Sequence, residues 1–579
     1  MLVILFALLL AAPSLWGGLC MDDFFHRLLL EHIPLDGVHG RRLDLFVFAT
    51  GDPELGYLQK DVGIVAWWAD PLAKIAFFRP LSALTHAVDY ALWPERPLLM
   101  HAQNLAWFCL ALFVLFKVYQ RFGTATVACL SLLLYAVDDA HGFAISWLSN
   151  RNALIALTFG LATLLFHDSF RRDGRRWAAG AACAVFGAAL FSGESALAVT
   201  AYLFSYAVFI DEASPKSRLL ALVPYAAIVV AWRLGYAALG YGTQRSGLAI
   251  DPVNSPGAFL LAAVERWPVL LAAQFALPPA DLWELYPVQA PWLKPVIFCW
   301  VIATLVGLVL LLRPFLAKNR VARFWALGAA LAALPSCAQF PHDRLLFWTG
   351  VGAMGLLGEW FVAAFAVDPA TLAQRPWPRA RRYPTYLLIG IHLPFAILLF
   401  PLRVRASADS ARTLGRAERT IPESAEVRER SVILVNPPVD AFAGYVQMQR
   451  AASHRPGPRH LRWLATGVSA VTVERIGATR LRVTPEKGFL WLKSEWMQRS
   501  REQPMPAGYE VRLSDVTITV TRLTADGRPA EIEAAFAEPL ESPRFEWLSW
   551  TPEGFRPFAL PRVGERTTLP KVDFYALDK

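Results

Sequence analysis

The sequence predicts a polytopic α-helical membrane protein that ends in a soluble β-rich (α+β) domain. Three observations carry that expectation. Of 579 residues, 55% are hydrophobic and 18% charged, against roughly 45–50% and about 25% in a soluble chain. The mean hydropathy is +0.37, and the apolar residues are gathered into blocks of membrane-spanning length over residues 1–402. From residue 431 the blocks give way to short alternating runs of strand composition.

Eleven apolar runs sit near 2–19, 102–118, 124–138, 152–167, 177–192, 196–210, 218–236, 295–312, 321–337, 345–367 and 384–402. The first, MLVILFALLLAAPSLWGGLC, lacks a basic leader and an A-x-A site, so it reads as a retained span rather than a cleaved signal. A twelfth run, 257–277, is interrupted by Glu265, Arg266 and Pro268 and is expected to lie at the interface or re-enter. Residues 20–101 form a large loop rich in Trp and Phe, including VAWWADPLAKIAFF, which suits interfacial amphipathic helices. Residues 403–430 read as a charged linker. In 431–579, SVILVN, AVTVERI, RLRVT, GFLWLK and DVTITVTRL read as strands and DAFAGYVQMQRAASH as a helix, which fits a small sandwich.

Orientation follows from Lys and Arg in short loops. KVYQRFG, RRDGRR (171–176), PKSR, RPFLAKNRVAR (313–323) and RPWPRARR (375–382) alternate with loops poor in both. Placing the basic loops in the cytoplasm of a bacterial inner membrane makes the N-terminus cytoplasmic and the 20–101 loop and 431–579 domain exoplasmic. The net charge of +9 is then a property of these loops and not a nucleic-acid footprint. Cys20, Cys109, Cys129, Cys183, Cys299 and Cys337 have no metal spacing. The C-terminal 240 residues have no cysteine, so that region is not a disulfide scaffold.

With that topology the ionisable residues outside the basic loops collect on the exoplasmic face. Asp22 and Asp23 end the first run; DDAHGFAISWLSNRN supplies Asp138, Asp139, His141 and Arg151; SGES supplies Glu194; PHDR supplies Asp343 and Arg344; Arg233 lies near the end of the seventh run. Bland readings exist for each: helix-capping acids, snorkelling arginines, a satisfied loop histidine. Together they point to function, because ionisable groups at membrane depth are costly. Arginines grip phosphate, and a carboxylate at the water boundary takes a proton from an attacking hydroxyl. The pattern suits sugar transfer from a polyprenyl-phosphate donor to a hydroxyl acceptor, the phosphate leaving. A lipid-linked sugar transporter would want polar groups through the membrane depth and inverted repeats, and neither is visible. A non-catalytic scaffold whose exoplasmic domain binds glycan or protein is the remaining alternative.

Several stretches resemble, in order, motifs of the GT-C superfamily of integral-membrane glycosyltransferases. The resemblance is to the protein O-mannosyltransferase branch and the tetratricopeptide-type transmembrane O-mannosyltransferases with their bacterial relatives. The stretches are MDDFFHRLL, FRPLSALTHAVDYALW with HAQNL, HGFAISWLSNRNALIAL, FSGESALAV and HDRLLFWTGVG. The resemblance covers about residues 1–370. It implies a GT-C-like fold, a polyprenyl-phosphate-linked sugar donor, a protein or glycan hydroxyl acceptor and an inverting reaction. It implies Asp22 as base with Asp23 beside it, Glu194 as the family glutamate, and Arg151 and Arg344 near the donor phosphate; Arg233 lies on the same face. His141, Arg79, His101 and Asp343 are implied as substrate-site positions. Gly193 stands where the family has lysine, and the tetratricopeptide repeats are missing. No cofactor is implied; a metal held by Asp22, Asp23 and His141 is an open alternative without diagnostic spacing.

Overall fold

The computed structural model describes residues 1–284, 290, 292–365 and 379–572. They divide into two compact units. Unit 1 comprises Met1–Gly18, Phe78–Tyr241 and Ile250–Ala408; unit 2 comprises Leu19–Phe77, Gly242–Ala249 and Asp409–Lys579.

Unit 1 is built of apolar helices, and the described part of each of the eleven runs is helical. Seven described helices are long and apolar enough to cross a membrane, or eight if Ala125–Ala136 and Asp139–Ser146 form one bent span. The other runs make shorter helices such as Leu2–Trp16, Arg176–Ser192 and Glu194–Phe209. Helix starts are written locally. Thr124 Oγ1 accepts from Val127 N, and Asn319 Oδ1 from Val321 N and Ala322 N; Pro97 and Pro215 open theirs. Missing side chains allow close helix contact. A Cβ at Gly160 would stand 2.3 Å from Trp348 Cη2, and one at Gly355 2.6 Å from Trp325 Cδ2.

The two ends of unit 1 differ in charge. At one end arginines of three of the basic loops are joined to acids, and Arg218 of PKSR donates to the Ala213 carbonyl. Arg121 Nη2 donates to Asp173 Oδ1 at 2.8 Å, Arg171 Nε to Asp211 Oδ2 at 2.7 Å and Arg320 Nη1 to Glu212 Oε1 at 2.7 Å. The fifth, RPWPRARR, is described only from Arg379. Arg151 and Arg172 close opposite ends of one helix, roughly 30 Å apart at 1.5 Å per residue, the thickness of a bilayer's hydrocarbon core.

The helix Pro256–Phe275 has enough length and apolar character to span, but its polar bonds keep returning to the Arg151 end. Ile250 N donates to Ala338 O, Arg266 Nη1 to Cys337 O, Gln274 Nε2 to Asp138 Oδ2 and Ala280 N to Asp343 Oδ1. Glu265 accepts from Trp283 and pairs with Lys294 at 2.7 Å. Its charged middle is thus paired within unit 1.

Unit 2 holds three sheets. Strands β1 (Val47–Thr50), β2 (Lys74–Ala76) and β3 (Gly242–Gln244) form the first in that order, antiparallel. In the four-stranded sheet, β4 (Ser431–Leu434) pairs in parallel with β5 (His460–Trp463), and helix Ala441–Ala452 makes the crossover. The six-stranded antiparallel sheet contains β6 (Val471–Arg475), β7 (Arg480–Pro485), β8 (Glu510–Arg512), β9 (Val516–Leu523) and β10 (Pro529–Phe536). The other partners of β4 are β11 (Phe545–Thr551) and, beyond it, β12 (Gly554–Pro557), while β13 (Arg566–Leu569) edges β6.

Three expectations change here. GFLWLK forms no strand: Leu490 has φ +57° and the run plugs the core, with Phe489 and Leu490 buried. Trp67 and Trp68 are not at a membrane interface. They are 4% and 2% exposed in the core of unit 2, edge-on to Phe489 and Trp463 respectively. The 403–430 stretch is helical through Arg419, where Glu418, 1% exposed, pairs with the fully buried Arg450 at 2.5 Å.

Candidate functional site

Unit 1 concentrates mixed charge where its helices end opposite the basic loops. The helix Pro80–Leu92 and the starts of Pro97–Phe122 and Arg151–Arg172 meet around Arg151. Arg151 Nε donates to Asn104 Oδ1, Nη1 to Gln103 and to Thr85 Oγ1 at 3.4 Å, and Nη2 to Met100 O at 3.0 Å. Nη2 also lies 2.5 Å from Asp89 Oδ2, both side chains being 0–1% exposed. A guanidinium has five N–H donors, and every arm of this one is engaged inside the protein. Arg151, expected near the donor phosphate, thus ties the HAQNL stretch to SNRNALIAL. Burial pushes the Asp89 carboxyl up, and Arg151 pulls against it.

A second junction joins FRPLS to SGES. Arg79 Nε donates to Glu194 Oε2 at 2.7 Å and Tyr236 OH to Oε1 at 3.2 Å. Ser82 Oγ donates to Ser192 O at 2.7 Å. Gly193, in the lysine position, has extended backbone (φ 176°) and lies against Asn152 Oδ1. Arg79 and Glu194 are 15% and 24% exposed, so water or a ligand reaches both.

The third junction is a cluster of three carboxylates on one guanidinium. Arg403 Nη1 donates to Asp281 Oδ2 at 2.7 Å and Nη2 to Asp343 Oδ2 at 2.6 Å, and Nε lies 3.5 Å from Asp139 Oδ2. His342 Nδ1 is 2.9 Å from Asp281 Oδ1 and 3.2 Å from Arg344 N; the tautomer selects between them. Burial and the neighbouring Asp281 push Asp343 up to about 7. Asp281 is held low, its burial outweighed by His342 and Arg403. The two carboxyls are thus pushed in opposite directions by their surroundings. Beside this cluster, Arg344 lies 5.6 Å over the Trp147 ring and donates to Gln339 Oε1 at 3.3 Å.

The remaining unit 1 candidates are structural in their placement. His141 is fully buried, stacked on Phe347 at 4.5 Å and tilted against Tyr135. His101 Nε2 contacts Gly18 O at 2.9 Å, packed where a Gly17 side chain would be. Arg233 Nη2 donates to Asp251 Oδ2 at 2.7 Å.

Asp22 and Asp23 lie in unit 2, in the first turn of helix Asp22–Leu30. Their roles separate. Asp23, 3% exposed, accepts from Cys20 N at 2.9 Å, a capping bond. Asp22 is half-buried, and its Oδ1 accepts from Tyr445 OH at 2.7 Å. Burial and the charge of Asp22 hold the Tyr445 phenol well above its usual range, so it stays a neutral donor. Among the described residues no group of three or more His, Cys, Asp or Glu is arranged to hold a metal.

Sequence reasoning missed Asp89, Asp281, Arg403 and Tyr445. Arg403 ends the last apolar run, Asp281 follows the interrupted one and Asp89 lies within FRPLSALTHAVDYALW, which are the available signals; Tyr445 had none.

No family model and no curated protein matches the chain. Solved structures give partial likenesses. The oligosaccharyltransferase AglB of Archaeoglobus fulgidus, in complex with an inhibitory peptide and a dolichol-phosphate, aligns over 79% of this chain and 64% of its own, with 13% identity and TM-score 0.38. ArnT of Cupriavidus metallidurans, bound to undecaprenyl phosphate, aligns over 80% and 89%, with 12% identity and TM-score 0.37. The chain thus spans 64% of the length of the archaeal enzyme.

Proposed function

We propose that the protein is an inverting, GT-C-like membrane glycosyltransferase that moves a sugar from a polyprenyl-phosphate donor to a hydroxyl acceptor on the exoplasmic face. One observation carries the reading. Stretches that resemble the family motifs, far apart in sequence, are bonded pairwise at a single end of an apolar bundle: Arg79 to Glu194, and Arg151 to Asn104 and Gln103. The opposite end gathers the basic loops, and excess Lys and Arg mark the cytoplasmic side. The motif end is then exoplasmic.

In this mechanism Asp22 accepts the proton of the acceptor hydroxyl as its oxygen attacks the anomeric carbon. The sugar–phosphate bond breaks on the opposite side, and the lipid phosphate leaves with the bonding pair. Tyr445 OH orients Asp22; Asp23 holds the helix start. Arg344, whose guanidinium lies over the Trp147 ring, contacts the leaving phosphate in this reading. Arg151 no longer has this role. The acceptor is a protein or glycan hydroxyl, and no metal enters the steps.

The test is Asp22→Asn, nearly isosteric but unable to take a proton. Turnover with polyprenyl-phosphate sugar should fall about 10²–10⁴-fold, the usual worth of a general base, with donor binding little changed. Near-normal turnover would reduce Asp22 to a helix-capping acid. Donor binding without transfer by any variant or by the parent would favour the scaffold.

A further inference from the structure

We propose that unit 1 carries, at its basic end, a binding site for an anionic phospholipid: a phosphate headgroup held at the rim and an acyl chain in the wall. The cavity there has a volume of about 440 Å³ and lies between the helices Arg151–Arg172, Arg176–Ser192 and Pro215–Ala238. It falls within the 300–1,000 Å³ of small-molecule sites.

Its rim and wall differ in chemistry. The rim is formed by Arg171, Ser214, Lys216 and Ser217. Arg171 is oriented by Asp211, at 2.7 Å, and its Nη2 donates to Ser217 Oγ at 3.1 Å. Ser214 caps the 24-residue helix that begins at Pro215, so the positive end of that helix dipole faces the rim as well. Lys216 stands exposed beside it. Beyond Arg171, the adjoining loop RRDGRR (171–176) adds two net positive charges.

The wall is apolar, with Phe170, Cys183, Leu220, Pro224 and Tyr225. Leu220 is 58% exposed, so the cavity opens on the surface that hydrocarbon covers. Pro224 lacks the N–H that would close on the carbonyl of Leu220, which leaves a polar acceptor near the junction of rim and wall. Tyr225 is fixed from behind, its OH 3.0 Å from His167 Nδ1. A soluble anion would use the rim and leave the wall to water; a zwitterionic lipid would fill the wall without matching the charge. An amphiphile with a net negative phosphate satisfies both. Basic pockets between transmembrane helices on the cytoplasmic side hold such headgroups. The leaflet rests on the orientation proposed above; the site itself does not.

The experiment uses the purified full chain in neutral detergent with no sugar donor or acceptor, so its outcome is independent of transferase activity. Retention of added lipid is followed by native mass spectrometry, and thermal midpoint by heating. Phosphatidylglycerol should be retained and raise the midpoint, phosphatidylcholine much less, and inorganic phosphate not at all. At low salt Lys216→Ala should weaken phosphatidylglycerol about five-fold, the worth of about 1 kcal/mol per surface cation, and K216E more. Leu220→Trp, which fills the wall and leaves the charge, should abolish retention. Equal retention of phosphatidylcholine, or parental binding by both K216E and L220W, overturns the proposal. Preferential retention of undecaprenyl phosphate over phosphatidylglycerol, lost in the same variants, also overturns it and assigns the cavity to the carrier lipid. A response to inorganic phosphate alone reduces it to a simple anion site.

Discussion

Replacing Arg151 separates two roles that the sequence leaves equivalent, donor ligand and structural clamp. Arg151→Met leaves Asp89, 1% exposed, as a buried charge without its partner. Breaking a buried pair from one side costs about 3–5 kcal/mol, and Asn104, Gln103 and the Met100 carbonyl lose a donor besides. At about 2 °C per kcal/mol for a large chain, the thermal midpoint should drop by roughly 6–10 °C. Arg151→Lys keeps the charge but offers three donors on a flexible stem in place of a planar fork. Two buried acceptors left unmet, at about 1–3 kcal/mol each, should cost it about 2–6 kcal/mol. The double variant Arg151→Met/Asp89→Leu removes both charges and should recover most of the loss. Soluble, monodisperse protein remaining after heating at a fixed rate gives the midpoints, and binding of polyprenyl-phosphate sugar is measured on the folded fraction. Should Arg151→Lys match the parent in stability but lose donor binding, the clamp assignment fails and the arginine returns to the donor site.

Glu495 gives unit 2 a pH dependence. It is buried, accepts from Thr466 Oγ1 and Leu492 N, and is pushed up to about 7 by its burial. The folded state therefore holds its proton more tightly than the unfolded chain, so this group lowers stability as pH rises from about 4.5 to 7. Glu495→Gln should flatten that slope in thermal unfolding, with a gain at pH 8 relative to pH 5 of about 3 kcal/mol at most; an unchanged slope would refute it. Gly160→Val should destabilise unit 1 by about 1–3 kcal/mol through overpacking against Trp348, read as a lower thermal midpoint; a neutral outcome would mean that Trp348 relaxes away freely.

The spans were legible because burying an apolar helix needs no long-range information: run length, composition and cap residues suffice. The alternating strands of the C-terminal region were legible for the same reason. Trp67 and Trp68 were misassigned because an aromatic cluster looks alike whether lipid or another segment covers it. Their cover, Trp463 and Phe489, lies about 400 residues away in sequence. GFLWLK failed similarly, since a buried run without pairing partners has strand composition and no strand geometry. Among the candidate site residues, Glu194, Arg79, Arg151 and Asp22 were singled out by type and motif. The groups bonded to Glu194, Arg151 and Asp22, namely Tyr236, Asp89 and Tyr445, were not, because a bond between distant segments leaves no periodicity to read.

The charge balance of each junction decides what it can bind. Arg79 pairs with Glu194, Arg151 with Asp89 and Arg233 with Asp251, and a phosphate approaching any of these guanidinium groups competes with a carboxylate already in place. The Arg403 junction carries three acids on one base. Among these contacts the acids outnumber the base, which suits a hydroxyl or cationic group on that side of the junction. The carboxylate that pairs with Arg151 was not legible in the sequence, because Asp89 stands 62 residues before it and nothing local marks the two as neighbours.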